Sequence, residues 1–153
     1  MTMSSLTTRR ATPADTALFL QMCRDFHLED GSPLDAAGEA TIAHICAGEA
    51  LAPAFLLEHE GAPAGFFVLT LGYSVENGGT DGFIDDIYLI PALRGQGLGR
   101  QAVELAIAAA REVGIRVLLL EVEAHNERAY SLYRKMGFAD TKRRLLRQVI
   151  AED

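Results

Sequence analysis

The residues with the clearest chemical meaning lie between Arg94 and Gly99, where three of five consecutive residues are glycine. This turn follows a short β-branched and apolar run that Pro91 ends, and it precedes a segment with apolar residues at helical spacing. A glycine-rich turn that leads into a helix directs free main-chain N–H groups and the positive end of the helix dipole towards one point. Such a turn can bind a phosphate, or it can connect a strand to a helix without binding anything.

Two well-known phosphate-binding turns can be compared with this one. The Walker A loop ends in Gly-Lys-Ser or Gly-Lys-Thr, and the chain contains neither tripeptide. The dinucleotide fingerprint G-x-G-x-x-G would start at Gly95 and needs a glycine at the position of Arg100. A nucleotide-binding regulator is therefore disfavoured. A serine hydrolase is also unsupported, because the chain has no Gly-x-Ser-x-Gly segment.

Two adjacent carboxylates, Asp85 and Asp86, lie in the run just before this turn. A strand over 83–90 directs successive side chains to opposite faces, so the two carboxylates should point apart and should not form a paired dyad. Asp85 is expected to share a face with Phe83, Ile87 and Leu89, and Asp86 with Ile84, Tyr88 and Ile90. Asp85 can be a base, a substrate anchor or part of an ion pair, whereas Asp86 is more simply explained as structural.

The composition is typical of one domain with an acidic surface. The 153 residues are 49% hydrophobic and carry a net charge of −7, which argues against nucleic acid as a partner and is compatible with a cationic substrate. No apolar run approaches the roughly 20 residues of a membrane span. Cys23 and Cys46 are too few and too far apart for a disulfide framework. We therefore expect a single domain over 1–153 in the reducing cytoplasm.

The first half of the chain contains two further groups of chemically capable residues. Cys23 and His27 lie one helical turn apart, which is also a metal-ligand spacing, but no second pair matches them, so we expect a packed helix face and no metal site. Four acidic residues follow, and they are either solvated or able to attract a cationic substrate: Glu29, Asp30, Asp35 and Glu39.

Periodicity and turn residues predict the framework that positions these groups. Strands are expected over 6–12, 55–59, 64–73, 83–90 and 117–122, with a loop over 78–82 and a final hairpin that includes 145–150. Helices are expected from Thr12-Pro13 to before Gly31, over 34–47, from Leu98 to Val113, and from Asn126 to Gly137. We predict an α+β fold with a mixed sheet of about six or seven strands flanked by about four helices.

Three separated patterns together resemble one protein family. They are Arg9-Arg10-Ala11-Thr12-Pro13-Ala14-Asp15, then Asp86-Ile87-Tyr88-Leu89-Ile90-Pro91 with Arg94-x-x-Gly97-x-Gly99, then Asn126-x-x-Ala129-x-x-Leu132-Tyr133-x-x-x-Gly137-Phe138. In this order they resemble the GNAT family of N-acetyltransferases, over nearly the whole chain from Leu6 to Ile150. The resemblance implies transfer of an acetyl group from acetyl-CoA to an amine. It also implies that the strands ending near Leu89 and Val122 splay apart around the pantetheine arm.

The resemblance further implies which residues bind acetyl-CoA. The glycine turn would hold the pyrophosphate, and a main-chain N–H near Leu89 would hold the acetyl carbonyl oxygen. Asn126 would contact the arm of the cosubstrate, although a helix N-cap alone also explains an asparagine there. The complete expected set is Ile87, Tyr88, Leu89, Arg94, Gly95, Gln96, Gly97, Leu98, Gly99, Arg100, Asn126 and Tyr133.

Within the family, the segment 83–89 most resembles the spermidine/spermine (diamine) N-acetyltransferase branch, which usually has glutamate where this chain has Asp85. The resemblance implies that Asp85 is the base, directly or through water, and that Tyr133 is the acid that protonates the departing CoA thiolate. We expect a small-molecule, polyamine-like amine as the acceptor and leave a homodimer open. An aminoglycoside, amino-acid-like or protein amine, or acyl-CoA binding without turnover, are the alternatives.

Overall fold

The computed structural model describes residues 5–151, so the first four and last two residues of the predicted 1–153 domain lie outside it. Within that range the chain forms five strands and four α-helices, which confirms the α+β class. The strands are β1 (Leu6–Arg10), β2 (Ala54–His59), β3 (Ala62–Ser74), β4 (Gly79–Leu89) and β5 (Val117–Leu120). The helices are α1 (Thr16–Glu29), α2 (Ala36–Cys46), α3 (Leu98–Glu112) and α4 (Glu127–Lys135).

The chain separates into two compact units, one ending at Glu121 and the other beginning at Val122. The first unit contains one mixed sheet with its strands in chain order, antiparallel from β1 to β4 and parallel between β4 and β5. A parallel pair needs a crossover, and α3 supplies it. The glycine turn therefore lies at the carboxyl end of β4, directly before the crossover helix.

One face of the sheet is covered by α1 and α2. The rings of Phe19 on α1 and Phe66 on β3 lie 4.7 Å apart, and both side chains are fully buried. Burial of a side chain of this size stabilises the fold by about 1.5–3 kcal/mol. This core, which we call the α1 core, consists of Ala11, Phe19, Met22, Cys23, Ile42, Cys46, Ala54, Leu56, Phe66, Val68 and Tyr88. It fixes α1 against the strand that carries Asp85 and Asp86.

The opposite face is covered by α3, which contacts β1, β3 and β4. Phe55 and Phe67 stack on this face with ring centres 4.9 Å apart, because they alternate with Leu56 and Phe66 of the α1 core. Four alanines of α3 are among its buried residues, and their small side chains let the helix lie close to the sheet. Among residues 5–151 no helix combines the length and the apolar character needed to cross a bilayer.

The prediction of six or seven strands is wrong for the part of the chain that the structure describes. Residues 138–151 have no regular secondary structure, and the apolar side chains of the predicted final hairpin are exposed. These are Leu145, Leu146, Val149 and Ile150. Their types favour a strand locally, but a strand also needs a partner for its main-chain groups and its side chains.

The ends of β4 and β5 also differ from the prediction. The apolar residues on both faces of β5 predict an interior strand, but all four are only partly buried, because β5 is the edge strand of the sheet in the described residues. β5 ends at Leu120 and not at position 122. β4 begins at Gly79, so most of the predicted 78–82 loop is strand.

Candidate active site

The start of α3 lacks a side-chain cap. Gly97 is the N-cap residue, with a φ of 80° and no side-chain hydrogen bond, and Gly95 has a φ of 76°. Both angles lie in the left-handed region that residues with a Cβ rarely adopt, so this turn depends on glycine at both positions. The first N–H groups of α3 have no partner within the helix. A ligand with negative charge can therefore take the place of a cap.

The turn is open to an approaching ligand. A Cβ added at Gly95 or at Gly99 would meet no heavy atom within 4 Å. The side chain of Gln96 donates to the carbonyl of Ala92 at 3.1 Å, and Arg100 donates to Glu104 at 3.1 Å. Leu98 is buried and anchors the helix start. We call residues 95–100 the cradle; its main-chain donors and free surface fit a diphosphate.

The side chain of Arg94 is held by neighbours in the first unit. Its Nη2 donates to both carboxylate oxygens of Glu29, at 3.0 and 2.9 Å, and its Nε donates to the carbonyl of Leu89 at 2.9 Å. The guanidinium carbon lies 5.4 Å from the ring centre of Tyr88. These contacts run to the ends of α1 and β4. The sequence predicted Arg94 as a ligand of the cosubstrate and did not predict this ion pair.

The pairing between β4 and β5 stops before β4 ends. Ile84 pairs with Leu120, and β4 then continues to Leu89 without β5 beside it. The N–H of Ile90 donates at 2.8 Å to the carbonyl oxygen of Ala64, the β3 residue just before those that pair with β4. Because successive residues of a strand direct their N–H groups to opposite edges, the N–H of Leu89 points away from β3, towards the edge that β5 has left. The main chain of Ile87, Tyr88 and Leu89 therefore borders this gap, whereas the Tyr88 side chain is buried in the α1 core.

A β-bulge at Asp85 changes the faces predicted for β4. Val68 of β3 pairs with Asp86, and the next residue, Leu69, pairs with Ile84, so the register leaves Asp85 unpaired within these two strands. Cross-strand partners share a face, and Val68 belongs to the α1 core. Asp86 therefore faces α1 while Ile84 faces α3, and the predicted alternation that placed both on one face is wrong. The side chain of Asp85 is exposed on the bulge.

Asp86 contacts α1 through His27. The Nε2 atom of His27 lies 3.3 Å from Oδ2 of Asp86, and the two side chains are 26% and 22% exposed. Burial raises the pKa of the Asp86 carboxyl, the charges of Asp85 and Asp30 raise it further, and His27 opposes the shift. Three carboxylates and one imidazole thus lie together where α1 ends against β4, a group that we call the acidic patch.

The metal-ligand spacing of Cys23 and His27 has a structural explanation. Cys23 is 2% exposed in the α1 core, and burial raises the pKa of its thiol. The packed helix face predicted for Cys23 is confirmed. In the described range 5–151, no three metal-binding side chains are grouped closely enough to hold an ion.

Three of the four acidic residues that the sequence marks as solvated or able to attract a cation are bonded to neighbouring groups. They are Glu29 by Arg94, Asp35 by the N–H of Gly38 at 2.8 Å, and Glu39 by Arg24 at 2.7 Å. The fourth, Asp30, is the C-cap residue of α1, and its charge reaches Asp86. Asp30 is therefore the member of the set that remains a candidate for attracting a cation.

The second unit contains α4, which begins with a side-chain cap. Asn126 accepts a hydrogen bond from the N–H of Ala129 at 3.1 Å, and Glu127 adds a negative charge to the first turn. The predicted N-cap is confirmed. The helix ends at Lys135, and Gly137 follows with a φ of 100°, as expected for a glycine just beyond a helix.

Tyr133 lies on α4 with a phenol suited to donating a proton. Its ring packs edge-on against Phe138 with centres 5.9 Å apart, and burial raises the pKa of the phenol. The hydroxyl is therefore protonated at neutral pH. Tyr130 on the same helix is exposed and donates its hydroxyl to Asp140 at 3.1 Å.

Two contacts in this region were not predicted from the sequence, those of His27 with Asp86 and of Glu29 with Arg94. Each pair is separated by 59 and 65 positions respectively, so no local pattern joins them. A usable signal did exist for Glu29: two adjacent acids, Glu29 and Asp30, stand at the negative end of a predicted helix, where a cation from elsewhere is favoured.

Comparison with known proteins identifies one family. A sequence model described as the acetyltransferase (GNAT) family matches residues 19–138. This range includes β4, the cradle and α4. A solved structure of an integron cassette protein from the mobile metagenome of Cole Harbour Salt Marsh is 30% identical, with a TM-score of 0.80, and the match covers 95% of this chain and 91% of that one.

Two curated relatives match over most of the chain. An aminoglycoside N(6')-acetyltransferase type 1 of Stenotrophomonas maltophilia is 28% identical over 94% of this chain and 92% of its own length. A thialysine N-epsilon-acetyltransferase of Bos taurus is 31% identical over 73% of this chain and 65% of its own length. With three further curated N-acetyltransferases the match spans less than half of the relative's length.

Proposed function

The chain belongs to the acetyltransferase (GNAT) family, and we propose that it is an acetyl-CoA-dependent N-acetyltransferase whose acceptor is a small cationic amine of the polyamine type. The observation that carries the proposal is the acidic patch. Asp85 is exposed on its bulge, and the charges of Asp85 and Asp30 act together on the half-buried Asp86. A concentration of negative charge of this kind attracts a cation and repels an anionic acceptor.

We assign the proton-acceptor role to Asp85. An alkyl ammonium has an ordinary pKa of about 10.4, so at neutral pH it must lose a proton before its nitrogen can attack. Asp85 is exposed and belongs to the strand whose free edge borders the gap beside Leu89. Its carboxylate accepts that proton directly or through a water molecule. Asp86, whose carboxylate is in contact with His27, keeps a structural role.

The remaining steps use Leu89 and Tyr133. Acetyl-CoA supplies the activated acetyl group; the amine nitrogen attacks its carbonyl carbon, the C–S bond breaks, and the electron pair leaves on sulfur. The N–H of Leu89 holds the carbonyl oxygen as negative charge develops there. The phenol of Tyr133 gives its proton to the departing thiolate and regains one from solvent. The first proton of the ammonium thus passes to Asp85 before attack, the nitrogen loses its second proton to water as the amide forms, and sulfur receives its proton from Tyr133.

We propose that the cradle binds the pyrophosphate of acetyl-CoA through main-chain N–H groups. The uncapped start of α3, the left-handed glycines and the free surface at Gly95 and Gly99 support this role. The main chain of Ile87, Tyr88 and Leu89 and the side chain of Asn126 are proposed to contact the pantetheine arm. The assignment of these last contacts rests on the resemblance to the family.

An aminoglycoside is the second candidate acceptor. It is supported by the aminoglycoside acetyltransferase relative, which matches over 94% of this chain. Aminoglycosides are also polycations, so the acidic patch suits them as well as it suits a polyamine. The acidic pair Asp85-Asp86 and the thialysine acetyltransferase relative support the diamine branch.

The test is a thiol-release assay with a panel of acceptors at equal concentration. The panel contains polyamines, thialysine, aminoglycosides, neutral and anionic amino acids, and peptide amines, with the acetylated product identified by mass spectrometry. We expect the highest kcat/KM with a polyamine. The highest kcat/KM with an aminoglycoside would favour the second candidate, and a preference for anionic or neutral acceptors would contradict both.

A further inference from the structure

The guanidinium of Arg94 joins three parts of the first unit. Glu29 belongs to the end of α1, the carbonyl of Leu89 to the end of β4, and Arg94 itself stands directly before the cradle. Two of the three guanidinium nitrogens, Nη2 and Nε, are used in these bonds. One face of the guanidinium also lies against the ring of Tyr88. This set of contacts leaves Arg94 little freedom to turn towards a ligand.

The end of α1 needs a cation. Glu29 is the last residue of α1 and Asp30 is its C-cap, so two carboxylates stand at the negative end of the helix dipole. The basic residue in the last turn of α1 is His27, which faces Asp86. Arg94 therefore supplies the positive charge that stabilises this helix end. Moving Arg94 to a phosphate would leave Glu29 and Asp30 without that charge.

The same helix end is attached to β4 at a second point. His27 contacts Asp86, and Phe26 packs on Tyr88 with ring centres 5.8 Å apart. The residues of α1 that border the acidic patch are thus fixed to β4 through His27 and to the residue before the cradle through Glu29. A displacement of Arg94 would be transmitted to both the patch and the cradle.

We propose that Arg94 is a positioning residue for the acceptor side of the enzyme and not a ligand of the coenzyme's phosphates. The Glu29–Arg94 pair fixes the end of α1 and, through it, the acidic patch that receives the cationic amine. The pyrophosphate is bound by the main chain of the cradle without help from the Arg94 side chain. This inference rests on the proposed function, because it requires a cationic acceptor at the patch.

The two roles for Arg94 predict different effects of Glu29→Gln on the KM for the amine. If Arg94 bound phosphate, removing the competing carboxylate would leave CoA affinity unchanged or tighter, and amine KM would not change. If Arg94 positions α1, Glu29→Gln and Arg94→Gln both raise the KM for the amine, by about fivefold, since half-exposed ion pairs contribute little more than about 1 kcal/mol. Both variants then keep the Kd for CoA within about twofold of the original chain.

The experiment measures the Kd for CoA by calorimetry and the KM and kcat for the best amine of the panel. The variants are Glu29→Gln, Arg94→Gln, Arg94→Lys and the Glu29→Gln/Arg94→Gln double variant. Glu39→Gln is the matched control, because it breaks a similarly exposed ion pair between α1 and α2 with the same change of charge. A thermal melt of each variant establishes that it is folded, and Arg94→Lys serves if Arg94→Gln is not.

Equal increases in amine KM for both single variants, with no further increase in the double variant, support the proposal. Arg94→Lys should resemble Arg94→Gln, because an ammonium cannot reproduce the bonds of the guanidinium fork to Glu29 and Leu89 together. The proposal is overturned if Arg94→Gln weakens CoA binding about tenfold or more while Glu29→Gln does not. Failure of the unmodified chain to bind CoA or release thiol would instead refute the proposed function, and the inference with it.

Discussion

The helices α3 and α4 begin in opposite ways. α4 starts at Asn126, whose side chain accepts a hydrogen bond from the N–H of Ala129 at 3.1 Å. α3 starts at Gly97, which has no side chain and no capping hydrogen bond. The start of α2 follows the same rule as α4, because Asp35 accepts from the N–H of Gly38 at 2.8 Å. The side-chain cap that α2 and α4 have is therefore missing at α3, where the chain has glycine.

The difference shows two ways in which a helix can contribute to a reaction. A capped helix has satisfied its own first N–H groups, so it offers side chains, and α4 carries the phenol of Tyr133. An uncapped helix offers its main chain, and α3 carries the cradle. Substitutions should therefore act through side-chain chemistry on α4 and through backbone geometry at the start of α3.

The largest effect is expected from Tyr133→Phe, which tests the side-chain half of this comparison. Loss of the proton donor should lower kcat by about 10²–10⁴ and leave the Kd for CoA nearly unchanged. Since burial raises the pKa of this phenol, the alkaline fall in kcat that depends on Tyr133 should begin above its ordinary pKa of about 10. Steady-state rates against pH and calorimetry with CoA measure both. Unchanged kcat in this variant would show that the ring only packs and would remove Tyr133 from the mechanism.

Gly97→Val tests the other half of the comparison, the contribution of the main chain at the start of α3. A branched side chain cannot easily adopt a φ of 80°, and it would stand where the phosphate approaches, so CoA should bind about a hundredfold more weakly. Gly97→Asn is the matched variant, because asparagine tolerates the left-handed region better than other residues. It should keep more of the affinity than valine. Calorimetry that gives normal CoA binding by Gly97→Val would remove the cradle from the mechanism.

Asp85→Asn sharpens the comparison by testing proton chemistry on a strand. We expect a loss in kcat/KM of about ten- to a hundredfold at neutral pH. The loss should shrink as the pH rises towards the amine's own pKa of about 10.4, because the free base then needs no help. A loss that is the same at every pH would make Asp85 an anchor for the cation. Asp85→Glu, the residue usual in the diamine branch, is the control and should retain activity.

Asn126→Ala should have the smallest effect. Removal of the α4 cap should lower the free energy of unfolding by about 1 kcal/mol. If Asn126 is only a cap, the Kd for CoA stays unchanged; as a cosubstrate contact it should weaken CoA binding about threefold. Asn126→Asp keeps the cap and removes the amide donor, so denaturant unfolding together with calorimetry separates the two contributions.

The glycine turn and the start of α3 were predictable because their signals are local. The glycines at 95, 97 and 99, the proline that ends the preceding run and the helical spacing after Leu98 lie within a few residues of each other. The cap of α4 was predictable for the same reason. Each depends on main-chain angles that the residues themselves favour or forbid.

The acidic patch was only partly predictable, because it depends on pairing across the sheet. The bulge at Asp85 arises from the register between Val68 and Asp86 on one side and Leu69 and Ile84 on the other. The pattern of residues within β4 does not indicate that register, because the register depends on the partner strand as well. The final hairpin failed for a related reason: residues 145–150 have strand-forming side chains, but local propensity cannot supply a neighbouring strand. A prediction from local propensity alone therefore gives more strands than can find a pairing partner.

The buried cysteines have a practical consequence for measuring the activity. Cys23 and Cys46 are 2% and 1% exposed, and burial raises the pKa of both thiols. A chromogenic disulfide reagent reacts with thiolates and not with buried neutral thiols. In the folded enzyme it will therefore report only the coenzyme thiol set free by turnover. A slow colour change in a blank without acceptor would record the exposure of these thiols as the protein unfolds. One assay can therefore follow both catalysis and the loss of the native state.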